Sequence, residues 1–124
     1  MSDNVNHPPH YKHPSGVECI DVIEGFDLNL AQVIKYAWRA GAKTPDAEED
    51  LRKALWYLDR EVARQALPDM VFEERNIDAI SAVCRADVAD GFVAQIVSAA
   101  DRGMLREVRE LLLARLHDGL KDVR

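Results

Sequence analysis

Apolar residues recur at helical intervals along almost the whole chain. Leu30, Val33, Ile34 and Ala37 follow the i, i+3, i+4, i+7 pattern of one helix face. After a short Gly/Thr/Pro break, Leu51, Leu55, Leu58 and Val62, with Ala54, repeat it. Upstream, Val17, Ile20 and Ile23 with Cys19 and Val22 make a shorter stripe, opposed by Glu18, Asp21 and Glu24. Downstream, three further stripes lie within 73–85 (Ile77, Ala79, Ile80, Val83, Cys84), 87–100 (Val88, Phe92, Ile96, Val97) and 104–123 (Leu105, Val108, Leu111, Leu112, Leu116, Leu120). Alternating apolar and polar residues, the mark of a half-buried strand, appear over no useful length. The pattern predicts an all-α protein, a small helical bundle built on a helical hairpin, with additional C-terminal helices.

Turn chemistry sets the expected boundaries. Gly25 ends the first helix and Gly41 the second, which spans 28–40 with Asn29 as its cap. The third opens either with Thr44 as cap and Pro45 at its first position, or with Asp46 as cap answered by Glu49. It runs to about Leu67, where Pro68 stops it, and later breaks are expected near Ala86 and at Arg102-Gly103. The character shifts after Pro68, so residues 1–68 read as a helical domain with an extended N-terminal arm and 69–124 as a C-terminal helical extension. Leu111 to Leu113 give the last helix a broad apolar face that must dock on the chain or on another subunit.

The arm, 1–15, holds Pro8, Pro9 and Pro14, which block a continuous helix. His7, His10 and His13 invite a metal reading by their spacing. In a polyproline-type arm each such repeat advances roughly 9 Å, so all three cannot reach one ion without a sharp bend. An arm packed over the domain by Tyr11 and the prolines is the simpler account; a third is that His7, His10 and Tyr11 cap a ligand pocket.

Bulk properties narrow the function classes. The chain of 124 residues has a formal net charge of -6, which argues against broad nonspecific binding to nucleic acid or an anionic membrane. Local cationic clusters remain able to hold a small anion. Arg102, Arg106, Arg109 and Arg115 are interleaved with acids, and no turn signal picks out a recognition helix, so nucleic acid is not an expected partner. Cys19 and Cys84 lack CxxC spacing and read as reduced thiols. The N-terminus is polar and no stretch approaches the ~18 apolar residues of a membrane span, so a cytoplasmic protein without membrane contact is expected.

Candidate chemistry gathers on the hairpin. Gly41-Ala42-Lys43-Thr44 imitates the tail of a phosphate-binding P-loop but lacks the glycine directly before the lysine and the strand leading in. Lys35 and Arg39 share a helix face, and Lys43 lies just past the turn. Converging guanidinium and ammonium groups suit phosphate oxygens; the plainer account is a solvated basic face paired with Glu48, Glu49 and Asp50. Asp50, Lys53 and Tyr57 form one stripe on the facing helix, able to meet a ribose or a base edge, or to hold Mg²⁺ through Asp50 with Glu49. Trp38, Trp56 and Tyr57 also fit boundary positions with apolar bodies buried and polar tips wet. No Ser/His/Asp or Cys/His grouping, HExxH or calcium loop is legible.

Asn6-His7-Pro8-Pro9-His10-Tyr11, then Glu18-Cys19-Ile20-Asp21-Val22-Ile23, then Ile34-Lys35-Tyr36 with Trp38-Arg39-Ala40-Gly41, then Asp50-Leu51, Lys53-Ala54 and Tyr57-Leu58 resemble the SaV-like family of small phage proteins. The resemblance covers residues ~5–62 in unbroken motif order. It departs at Ala37, where a bulkier residue is common, and it leaves the C-terminal half unmatched. Members are often labelled nucleotide kinases without a P-loop. The resemblance therefore implies a nucleotide-handling phage protein in the cytoplasm of the infected host cell. It implies Lys35, Arg39 and Asp50 as catalytic groups and His7, His10, Tyr11, Trp38, Lys43, Lys53 and Tyr57 as substrate-binding ones. Mg²⁺ and a nucleoside triphosphate co-substrate come with that reading.

Phosphoryl transfer is mainly positioning and charge neutralisation, so these groups suit it. One short hairpin offers little enclosure, and a homo-oligomer that completes the pocket is expected. The competing functions are a protein that sequesters or senses a nucleotide without turnover, including a counter-defence role, and a helical oligomeric interaction module.

Overall fold

The bundle is assembled around two antiparallel helices, α2 (Leu28–Gly41) and α3 (Ala47–Gln65). The computed structural model describes residues 13–42, 45–65, 75–86 and 91–121. Among the described residues there are six α-helices and no strand, an all-α helical bundle. The short α1 (Cys19–Ile23) precedes the hairpin, and α4 (Ile77–Ala86), α5 (Phe92–Asp101) and α6 (Leu105–Lys121) follow it. Helix α5 packs on α2, and α6 packs on both α3 and α5, so both halves of the chain contribute side chains to one hydrophobic cluster.

Each boundary has a local cause. At α1, Glu18 and Asp21 form a reciprocal capping box, which draws both acids into the turn. The helix is only five residues long, shorter than the stripe suggests, and it buries Cys19 and Val22 while Ile20 stands half-exposed. Helix α2 is capped by Asp27, whose Oδ1 accepts from the Leu30 amide at 3.1 Å; Asn29, the expected cap, lies inside the helix. Asp46 directly precedes α3, and its carbonyl accepts from the Asp50 amide at 2.9 Å. Gly91 (φ 74°) and Gly103 (φ 71°) hold left-handed conformations at the start of α5 and in the α5–α6 turn, where a side chain would strain the backbone.

The core is built from the predicted stripes, with one change of phase, on α3. On α2, Leu30, Val33, Ile34 and Ala37 are buried as expected, and Trp38 and Ala40 join them. On α3 the buried face runs Leu51, Ala54, Leu58 and then Glu61, leaving Val62 47% exposed. On α6, Val108, Leu112 and Leu116 are buried against the bundle, Leu111 is partly covered and Leu113 remains half-exposed. The expected starts of the fourth and fifth helices, at 73 and 87, and the end of the sixth, at 123, lie outside the described residues.

Candidate functional site

The antiparallel register brings α2 residues opposite α3 residues so that their numbers sum to about ninety. Arg39 faces Asp50, Tyr36 faces Lys53 and Tyr57, and Asp27 faces Arg64. Of the two rows singled out in the sequence, Lys35, Lys53 and Tyr57 gather around Tyr36 on the outer face of the hairpin, and Arg39 pairs with the buried Asp50.

At the centre of that face is Tyr36. Its ring stacks on Tyr57 with centroids 6.0 Å apart and 14° between planes. Lys35 Nζ and Lys53 Nζ lie 5.5 Å and 5.4 Å from the Tyr36 centroid, one from each helix. Tyr57 in turn meets the edge of Trp56 at 4.9 Å, and the Arg60 guanidinium sits 5.0 Å from the Trp56 ring. Cations over aromatic faces are held by the ring quadrupole, weakly where water competes. Lys53 also pairs with Glu49 at 3.1 Å, and that hydrogen-bonded carboxylate holds the ammonium above its ordinary pKa.

Next to this row, toward the α2–α3 turn, Arg39 Nε donates to Asp50 Oδ2 at 3.4 Å. Asp50 is 2% exposed and Arg39 about a quarter exposed, so the carboxylate is a buried partner holding the turn, with its charge turned inward. Burial of a carboxylate is tolerated only when a cation or hydrogen bonds offset the lost hydration. Glu49 points the other way, into solvent beside Lys53. As donors for Mg²⁺ the two do not converge, each is committed to a cation, and among the described residues no group of three His, Cys, Asp or Glu side chains could hold a metal ion. The described residues do not fit a magnesium site.

Residues 5–59 match the model of one family, DUF3310, described as a protein of unknown function. No curated protein and no solved structure matches the chain. The matched stretch takes in α1, α2 and most of α3, including Tyr36, Arg39, Asp50, Lys53 and Tyr57. Glu61, Arg64 and the last three helices lie beyond it.

The remaining sequence candidates divide clearly. Trp38 is 1% exposed and its ring lies 5.3 Å from that of His13, so it packs as a core residue with no face open for a base. Its position four after Ile34 places it on the buried stripe, which is the physical reason it turns inward. His7, His10, Tyr11 and Lys43 lie outside the described residues.

A second polar cluster, absent from the sequence candidates, sits at the opposite end of the hairpin. Glu61 is fully buried and receives Arg64 Nε on Oε1 at 2.8 Å, Arg64 Nη2 on Oε2 at 2.7 Å and Gln65 Nε2 on Oε2 at 3.1 Å. Arg64 also reaches Asp27 Oδ2 at 2.6 Å. Burial pushes Asp27 up, and the adjacent Glu61 adds to the rise against the Leu30 amide and Arg64. Burial would also raise Glu61, but hydrogen bonds from Arg64, Gln65 and Asp27 outweigh it and hold that carboxyl below its ordinary value. The signal was present in the sequence: Glu61 stands three after Leu58, in phase with Leu51 and Ala54.

Among the described residues, no helix is long and apolar enough to cross a membrane.

Proposed function

We propose that the open face of the α2–α3 hairpin binds a phosphorylated nucleotide, with Lys35 and Lys53 on its phosphates and the Tyr36–Tyr57 pair beside its base. The observation that carries this reading is the convergence of two ammonium groups, from two helices, within 5.5 Å of one tyrosine ring. Cations on a π platform match a ligand that is itself anionic at one end and planar at the other. The resemblance to SaV-like phage proteins supports the same ligand class and a setting in the cytoplasm of an infected cell.

Binding without turnover is the favoured form. Asp50 is buried against Arg39, which leaves it poorly placed to take a proton from a substrate hydroxyl. Arg39 and Asp50 are then positioning residues that fix the turn. Phosphate transfer from a nucleoside triphosphate to a nucleoside monophosphate is the resemblance's own implication. It would require water to be excluded from an open face, as a second copy of the chain could do, with any Mg²⁺ arriving on the triphosphate.

Titration calorimetry with ATP and with deoxynucleoside monophosphates, with and without Mg²⁺, tests the proposal. Saturable binding that falls about tenfold or more in the folded Lys35→Ala/Lys53→Ala double variant is expected, from loss of charge-assisted contacts. Product formation in the same mixtures would move the reading to transfer. Equal affinity of wild type and the double variant would remove this face from nucleotide binding.

A further inference from the structure

A cavity of about 390 Å³ opens on a different part of the bundle, lined by Val62 and Gln65 of α3, Gly103 of the α5–α6 turn, and Leu105, Arg106 and Arg109 of α6. Its size lies within the range of small-molecule sites. The lining is of two kinds. Val62, half-exposed although flanked by the buried face of α3, and the partly buried Leu105 make an apolar floor. Arg106 and Arg109 are one turn apart on α6 and set two guanidinium groups at its rim.

We infer that this cleft is a second ligand site, for a small organic anion whose apolar body rests on Val62 and Leu105 and whose acidic headgroup meets Arg106 and Arg109. A simple phosphate leaves the floor uncovered, and a neutral hydrocarbon leaves the Arg106 guanidinium without an anion. A body-plus-headgroup ligand satisfies both surfaces. The chain already shows the headgroup chemistry: Arg109 Nη2 binds Asp59 Oδ1 at 2.6 Å, so an internal carboxylate from α3 competes for one of the two cations. Arg106 is exposed and makes no ion pair with a described residue. The site is independent of the Tyr36 face and does not rest on nucleotide binding.

The competition by Asp59 supplies a test that a nonspecific apolar patch would not pass. The probe is 1-anilinonaphthalene-8-sulfonate, followed by fluorescence against the full chain at low salt, with N-phenyl-1-naphthylamine as its uncharged counterpart. Three results are expected: saturable binding of the sulfonate at one site, about tenfold weaker binding in Arg106→Gln, and roughly threefold tighter binding in Asp59→Asn, which frees Arg109. Val62→Asp, at a half-exposed position, is expected to abolish binding. Circular dichroism and the melting temperature confirm that each variant is folded. Failure to saturate, equal affinity in Arg106→Gln, no gain in Asp59→Asn, or equal binding of the uncharged probe each overturns the assignment.

Discussion

Arg64 Nη2 lies 2.6 Å from Oδ2 of Asp27, which ties the C-terminal part of α3 to the N-cap of α2. The same guanidinium grips Glu61, whose side chain is fully enclosed. One arginine therefore pairs with two carboxylates and closes the end of the hairpin opposite its turn. Arg64→Ala strands a buried charge. The expected loss is about 2–3 kcal/mol, the low end for a broken buried pair because the guanidinium is a third exposed. Thermal unfolding should show a fall of about 10 °C; a shift below about 3 °C would mean that water replaces the arginine at little cost.

The two acids of this cluster titrate in opposite senses. Glu61 is held below its ordinary value of 4.5, so its contribution is present at neutral pH and is lost as pH falls through its folded value. Asp27 is raised above 3.8, so its contribution is full in acid and is lost as pH rises through its folded value. Asp27→Asn keeps a good cap and removes the like charge beside Glu61. Relative to this variant, wild type should lose stability as pH rises from the ordinary aspartate range toward neutral. Urea midpoints at several pH values measure it, and a constant difference across that range would count against the raised Asp27 carboxyl.

The hairpin was legible because two long helical stripes flank a Gly/Pro turn, and helix faces fix which side chains meet across it. Lys53 with Glu49 follows from the four-residue spacing along α3, and Arg39 with Asp50 from the register across the turn. What was not legible is the phase of the stripe at the C-terminal end of α3. An acid at a core-facing position reads as solvent-facing until its partners are known, so Val62 was assigned inward and Glu61 overlooked, although burial with an arginine reverses the two. Trp38 misled in the opposite way, since a tryptophan beside cations suggests a stacking platform while its phase with Ile34 buries it. The cap shows the same limit: Asn29 and Asp27 are both good cap residues, and Asp27, which takes the position, also pairs with Arg64 from beyond the local sequence.

The two thiols should separate cleanly in a labelling experiment. Cys19 is 3% exposed, and burial pushes its pKa up to about 12, slightly eased by Lys35. Cys84 is exposed on α4, with its Sγ 3.8 Å from the Ala94 carbonyl. Thiolate is the reactive form, so an aromatic disulfide reagent at pH 8 should titrate one thiol in the native protein and a second only after unfolding. Two fast equivalents under native conditions would mean that α1 opens readily from the core.

Gly41 looked like a helix stop, yet it is the last residue of α2, and its role is to allow close approach. A Cβ placed there would lie 2.6 Å from Val93 Cγ2 of α5, well inside contact distance. The sign of Gly41→Ala decides between two effects. Helix propensity alone would stabilise by up to about 1 kcal/mol, whereas overpacking against a branched side chain in a closed interface costs about 1–3 kcal/mol. Destabilisation is the expected result, because Val93 is itself buried and has little room to move. In the Val93→Ala background the clash is gone, so the same Gly41→Ala change should become neutral or stabilising. A double-mutant cycle in urea should give a coupling of at least about 1 kcal/mol. Additive behaviour would show that α5 does not seat on the end of α2, and with it would go the close approach of Val93 to Gly41.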